Sequence, residues 1–362
     1  MAEKFLRLKA FMIKYANIIF FVGGFVFDSL TLIRIDSKLD LGIQTFYLSM
    51  VTLLIIIKSR FDLGLWRPQG RMEKLWEYES EALHFFYGGL LSAYVIFYFK
   101  STTLSRSVFF LGLVAILMFA NEMPQVRRAG SAMRLGLYAF CVVSFLNYLL
   151  PVMVGSMGTL LFIAGWVLSA LIVTALVHHL AGLTPDPVRT RWRLGWSPAA
   201  IMALVAILYT MKLIPPVPLS MQYAGIYHAI AKEGDQFKLT YQKPPWYKFW
   251  RHDDRDFVAE PGDQVVCFTR VFAPRKFHHQ IYLRWYTRGE GNGKWMPSDR
   301  IPLSISGGRD EGFRGYGVKS NYVPGKWRVD IETEDGRTLG GVHFNLTLNP
   351  VPTDRKWKHR WM

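Results

Sequence analysis

The residues best placed to do chemistry are polar groups stranded in apolar sequence. Asp28, the pair Asn121-Glu122, and Lys212 all interrupt or close long apolar runs. In hydrocarbon an unpaired charge costs several kcal/mol, so each is a functional suspect by default. Asp28 and Lys212 fall at similar depth in the outer parts of the first and last runs. Two arrangements are open: a mutual ion pair, or each group reaching the headgroup layer alone. Asn121 and Glu122 read as an interfacial cap salted by Arg127 and Arg128. A proton or ion pathway is the weaker reading, because no run holds a chain of carboxylates and no inverted repeat divides the runs.

Histidine offers little for metal binding. His178 and His179 are adjacent, so on a helix they point about 100° apart and cannot readily share an ion. His278, His279 and His343 become ligands only if strand pairing brings them together. No catalytic constellation, cofactor motif or metal site is therefore expected. The two cysteines, Cys141 and Cys267, read as small buried hydrophobes in different phases, without a disulfide.

Seven apolar runs of bilayer length must position these groups. They fall near 10–33, 40–58, 82–99, 105–122, 133–153, 157–179 and 196–215. The chain is 51% hydrophobic over 362 residues and carries a net charge of +16. Membrane topology accounts for that charge better than nucleic-acid binding does. With the N-terminus cytoplasmic, the inside segments carry Lys4, Arg7, Lys9, Lys14, Lys58, Arg60, Arg67, Arg71, Lys74, Arg127, Arg128, Arg134, Arg189, Arg191 and Arg193. The outside loops carry only Arg34, Lys38, Lys100 and Arg106. Seven spans then place the C-terminus outside the cytoplasm. The first run lacks a small-residue cleavage site and reads as a retained span. Gly89 and Ala93, with Gly88 and Ser92, give small-residue spacing suited to close helix packing.

The rest of the chain changes character. Three prolines in 215–218 end the last span. Residues 220–232 read as a short amphipathic helix. The segment 243–251 mixes aromatics with cations, as the headgroup layer favours. From 261 the period becomes two, with strands expected at 264–273, 278–287, 300–306, 315–322, 326–333 and 339–348. Glu334-Asp335-Gly336-Arg337 is a hairpin turn. This pattern predicts an antiparallel β-sandwich with Phe268, Trp285, Trp327, Val329 and Phe344 in its core.

Several of these strands carry a resemblance. Val265-Val-Cys-Phe-Thr-Arg270, Ile281-Tyr-Leu-Arg-Trp-Tyr286, Pro324-Gly-Lys-Trp-Arg-Val-Asp-Ile331, Asp335-Gly-Arg and Gly341-Val-His-Phe344 together resemble the bacterial DUF2914 domain. That family is of uncharacterised function and often follows a set of membrane spans. The resemblance covers about 85 residues and implies no catalytic residues.

The expected layout is thus an α-helical polytopic membrane domain followed by a small all-β antiparallel sandwich. Its parts are a seven-span region at 1–215, a linker at 216–254, the sandwich at 255–349 and a basic tail at 350–362. Alternation puts Arg284 and Arg328 opposite the core stripe. One reading makes that stripe merely solvated. The sharper reading joins Arg284, Arg314, Lys319 and Arg328 into a basic surface for an anionic glycan or lipid headgroup. Trp246, Trp250, Trp357 and Trp361 are candidate interfacial anchors. The expected protein is a non-enzymatic one of the bacterial inner membrane, presenting its sandwich outside the cytoplasm to a protein partner or envelope component. The alternative is a membrane enzyme or carrier that works on a lipid-linked or small anionic substrate through Asp28, Glu122 and Lys212.

Overall fold

The computed structural model describes residues 25–26, 28–30, 32, 35–101, 104–122, 130–274, 277–288, 293–306, 312–351 and 354–362. Most of the expected first span lies outside them. The chain forms two compact units. One is helical and ends at Ile214; the other holds Pro215–Met362 together with Lys100, Ser101 and Val154–Gly158.

The helical unit contains α1 (Lys38–Asp62), α2 (Arg71–Trp76), α3 (Glu79–Lys100), α4 (Leu104–Glu122), α5 (Ser131–Val154), α6 (Thr159–Gly182) and α7 (Pro187–Thr210). Five of these, α1, α3, α5, α6 and α7, are long and apolar enough to cross a membrane. The protein is a multi-pass membrane protein by that measure. Among its described residues α4 also carries an apolar stretch, Val108–Phe119.

Helices α3 and α5 form the centre. In their most apolar windows 61% of residues are buried, against 22–28% in α1, α6 and α7. Tyrosines fasten the centre: Tyr94 Oη donates to Cys141 O at 2.9 Å, and Tyr87 Oη to Arg134 O at 2.8 Å. In α1, Gln44 bonds Tyr148 and Thr52 bonds Tyr138. A Cβ on Gly89 would lie 2.6 Å from the Tyr47 ring, so this small residue lets α1 and α3 meet closely.

The last helix departs from expectation. It starts at Pro187 rather than 196, because Asp186 caps it by accepting from Arg189 N at 3.1 Å and Pro187 suits the first turn. Three arginines break the apolar run but not the helix. It ends at Thr210, so Lys212 lies beyond the helix with φ 58.

The second unit is a stack of three sheets. Its strands are β1 (Ser220–Tyr227), β2 (Ala229–Glu233), β3 (Gln236–Gln242), β4 (Asp256–Ala259), β5 (Val265–Phe272), β6 (His278–Arg288), β7 (Met296–Ser306), β8 (Phe313–Lys319), β9 (Gly325–Thr333), β10 (Thr338–Leu348) and β11 (Trp357–Trp361). The sheet orders are β4-β10-β9-β6-β7, β1-β5-β8 and β11-β3-β2. All pairs are antiparallel except β4 with β10. The five-stranded and first three-stranded sheets enclose the main core of Trp285, Trp327, Val329, Phe344, Cys267 and their neighbours. Gly155 O accepts from His278 N at 3.0 Å, and Met157 joins the same core.

Three expectations are corrected here. Residues 220–232 form β1 and β2, not an amphipathic helix. A bulge between Met221 and Tyr223 and the break at His228 hide the period of two. The basic tail, in which no strand was expected, forms β11 and pairs with β3 along the whole length of that strand. Phe268 lies outside the main core. It packs with Tyr227, Leu239, Tyr241 and Val266 under the β11-β3-β2 sheet, which covers the second face of β5.

Candidate functional site

Alternation along three neighbouring strands builds a polar face on the outside of the five-stranded sheet. On β6, Ile281, Leu283 and Trp285 turn into the core, leaving Tyr282, Arg284, Tyr286 and Arg288 outward. Register then sets the rows: Arg284 opposite Asp330, Tyr286 opposite Arg328, and Arg288 opposite Lys326. On β10, His343 faces Arg328 and Asn345 faces Lys326.

Arg328 is the centre of this face. Its guanidinium lies 4.4 Å from the Tyr286 ring centre and 5.1 Å from that of Trp295. His343 meets Trp295 edge to face at 5.9 Å. Arg328 Nε lies 3.2 Å from Asp330, and Arg284 lies 3.7 Å from Glu332. Both carboxylates are buried beneath the cations and rings. Burial, then the charges of Arg328 and Arg255, hold the His343 imidazole below its ordinary value.

Beside this ladder is a concavity of about 450 Å³ lined by Arg288, Lys326, Asn345 and Thr347, with Gly293, Pro324 and Gly325. Gly325 has φ 137, and a Cβ there would lie 3.1 Å from Arg288 O, so glycine is required. The face offers cations, ring faces and an amide. Cations set among aromatic faces are of the kind that suits anionic groups and flat ring surfaces.

The four basic residues expected to share one surface do not. Arg284 and Arg328 lie together on the ladder. Arg314 belongs to β8, in the other sheet of the sandwich, and its Nη1 donates to Asp235 O at 2.7 Å. Lys319, also on β8, is 4% exposed and is held by Asp299, Ser298 and Asn321 over the Trp327 ring. Alternation reveals which face of a strand a residue takes, not which sheet the strand joins. Tyr286 meets Arg328 only through the β6–β9 register, and Trp295 precedes β7 and lies on no strand, so alternation marked neither.

The anchors also divide. Trp246 is 86% exposed and Trp250 is 62% exposed, alongside exposed Tyr247 and Phe249. Trp357, by contrast, stacks with Arg355 at 4.7 Å and meets His228 at 5.0 Å. Trp361 lies under Lys238.

A buried polar network ties the tail down. His228 Nδ1 donates to Asp254 Oδ2 at 2.8 Å, and its Nε2 faces Val258 O at 3.3 Å. Its ring stacks on Phe257 at 3.9 Å. Asp254 Oδ1 accepts from Gln242 N at 3.0 Å. Arg355 grips Asp263 at 2.6 and 3.2 Å and Glu260 at 3.1 Å. These residues are scattered from 228 to 355, so no sequence spacing announces them. Among the described residues no three His, Cys, Asp or Glu gather as metal ligands. His278 and His279 start β6, while His343 lies on β10.

In the helical unit the polar residues are separated. Asp28 lies beside Ser92 and Tyr47. Lys212 is exposed past the end of α7 and makes no ion pair with Asp28. The side chain of Glu122 lies outside the described residues. Asn121 is fully buried, not a surface cap. Its Oδ1 accepts from His84 Nδ1 at 2.9 Å and its Nδ2 donates to His84 O at 3.0 Å, joining α4 to α3. Asn121→Ala is expected to cost about 1–2 kcal/mol, read as a lower unfolding midpoint of the detergent-solubilised protein. Asn121→Asp, also unable to donate to the carbonyl, should be no milder.

Residues 278–346 match the family model DUF2914, a protein family of unknown function, so the β unit carries a C-terminal DUF2914 domain. No curated protein matches the chain. Among solved structures, an immunoglobulin-like protein from Pseudomonas aeruginosa is similar at 12% identity and TM-score 0.24, over 36% of this chain and 98% of that one. An alkylpurine DNA glycosylase from Pseudomonas fluorescens, bound to DNA with an abasic site analog, is similar at 11% identity and TM-score 0.22, over 87% of this chain and 99% of that one. Likeness at these scores carries no argument about fold or function.

Proposed function

We propose that this chain is a bacterial inner-membrane protein that displays its β unit outside the cytoplasm to bind an anionic envelope glycan. The observation that carries this reading is the outer sheet face, where the Arg328 ladder adjoins the concavity of Arg288 and Lys326. Cations set among aromatic faces suit a polymer that offers both charge and flat sugar surfaces.

Chain topology supports the siting. Lys100, Ser101 and Val154–Gly158 belong to the same compact unit as Pro215–Met362. Helices α4 and α5 separate the first two segments, and α6 and α7 separate the second from the third. If each helix crosses, all three segments return to one face of the membrane. That supports α4 as a crossing helix. Arg134 in the first turn of α5 and Arg189, Arg191 and Arg193 at the start of α7 then lie on the opposite, cytoplasmic face. The carrier or enzyme reading gains no support among the described residues, where Asp28 lies beside Ser92 and Lys212 is exposed.

Co-sedimentation of the full-length protein in nanodiscs with purified peptidoglycan tests the reading. The expected result is salt-sensitive binding, weakened about tenfold when Arg288→Ala and Lys326→Ala are combined, as loss of about 1.4 kcal/mol would give. Absence of binding, or equal binding by the variant, would contradict it.

A further inference from the structure

We propose that the groove between α6 and α7 binds an anionic phospholipid. One acyl chain lies along the groove, and the phosphate sits at Arg191 and His178. The groove holds about 730 Å³. Its lining is apolar: Val173, Val177, Pro198 and Met202 are buried beneath it, and the small side chains of Ala170, Gly195, Ala199 and Ala203 leave it open. Trp166 and Met202 mark the deep end, where Trp166 Nε1 donates to Met202 O at 3.0 Å and so fixes the indole. Arg191, His178 and Trp192 mark the other end.

Length and polarity both fit a lipid. From Trp166 to His178 the helix advances about 18 Å at 1.5 Å per residue. One leaflet of hydrocarbon is about 15 Å deep, half of the ~30 Å core. The groove thus reaches from the depth of the acyl tails to the headgroup boundary and is charged at that end alone. The tryptophans there, Trp192 and Trp196, are 79% and 60% exposed, as residues facing the interfacial layer would be. A helix from a second copy would lay apolar side chains along the groove but would leave Arg191 unmatched.

The charged end is available. Among the described residues Arg191 makes no ion pair. His178 Nδ1 lies 3.2 Å from Thr174 O and donates to it; Nε2 then donates to a phosphate oxygen when the ring is protonated, or accepts from a headgroup hydroxyl when it is neutral. The carboxylate closest along the chain, Asp186, is occupied in capping Arg189 N. Arg189 and Arg193 add positive charge within the same first turns of α7. A zwitterionic headgroup would bring its own ammonium against this cluster, so selection should favour a net negative lipid.

Native mass spectrometry of the intact protein, purified in mild detergent and supplied with phosphatidylglycerol and phosphatidylcholine, tests the site. The expected result is preferential retention of phosphatidylglycerol. Arg191→Gln should reduce that preference about fivefold, the equivalent of about 1 kcal/mol for one arginine near the membrane surface. Ala170→Leu, which narrows the groove, should reduce retention of both lipids without changing the preference. Equal retention of the two lipids by the parent protein would overturn the proposal, as would an unchanged preference in Arg191→Gln. A disulfide-linked dimer formed in membranes through Ala199→Cys would assign the groove to a second copy and overturn it as well.

Discussion

Trp327→Ala is expected to destabilise the β unit by about 3–5 kcal/mol, the range for removing a large aromatic side chain from a packed core. Trp327 is 2% exposed. Its ring stacks with Phe344 and meets Trp285 edge to face, with centres 6.3 and 6.4 Å away. Its Nε1 donates to Val323 O at 2.9 Å, so truncation also strands an acceptor. Lys319 lies over the same ring, 5.2 Å from its centre. The cavity would therefore open between both main sheets and under a buried ammonium. Denaturant unfolding of the full-length protein, followed by near-UV circular dichroism, reads the loss. Trp327→Phe should recover most of it. A cost under about 1 kcal/mol would mean that the ring does not hold the sheets together.

Arg355→Ala ranks second, at about 3 kcal/mol, because it leaves Asp263 and Glu260 without the cation that both share. Its local effect should exceed its global one. Arg355 precedes β11, so hydrogen exchange should rise first in Trp357–Trp361 and then in the paired strand Gln236–Gln242. Asp263→Asn combined with Arg355→Ala should cost less than the two single changes summed.

The same clamp sets a pH dependence. Burial works against ionisation of Asp263, yet the Arg355 hydrogen bonds and the Glu260 amide hold its carboxyl below the ordinary value of 3.8. Asp256 is lowered too, chiefly by its hydrogen bond from Lys248. For a carboxyl lowered in the folded state, the stabilisation is complete above the ordinary value and is lost as pH falls through the folded value. The clamp should therefore begin to weaken as pH falls below about 3.8 and be lost through the lower folded value. Asp254 opposes this, since burial raises it despite His228. Its contribution is full below the ordinary value and fades as pH rises through its folded value. Arg355→Ala should flatten the acid limb, and an unchanged limb would remove Asp263 from the account.

What could be read from the sequence follows from which signals are local. The five long helices and the β6, β9 and β10 strands declare themselves through runs and alternation, and Gly336, at φ 78, turns the expected hairpin. The pairing of strands is not local. β1, β2, β3 and β11 come from segments that looked like linker and tail, and β11 crosses more than a hundred residues to reach β3. Covering β5 on its second face moved Phe268 out of the main core. Alternation made Arg284 and Arg328 legible as residues opposite the core stripe, and they fall together because β6 and β9 turn out to be neighbours in the sheet. Arg314 and Lys319 share their charge but ride on β8. His84, the partner of Asn121, sits in an apolar run with nothing beside it to mark the contact.

The central claim is that the β unit faces away from the cytoplasm, and cysteine labelling tests it most directly. Cys141 and Cys267 are both buried, and burial raises the Cys267 thiol to about 12, so neither should react. A new thiol at exposed Glu233, made as Glu233→Cys, would report alone. The account predicts labelling by a membrane-impermeant maleimide in intact spheroplasts, equal to that after lysis. Labelling only after lysis would place the β unit in the cytoplasm and contradict the account.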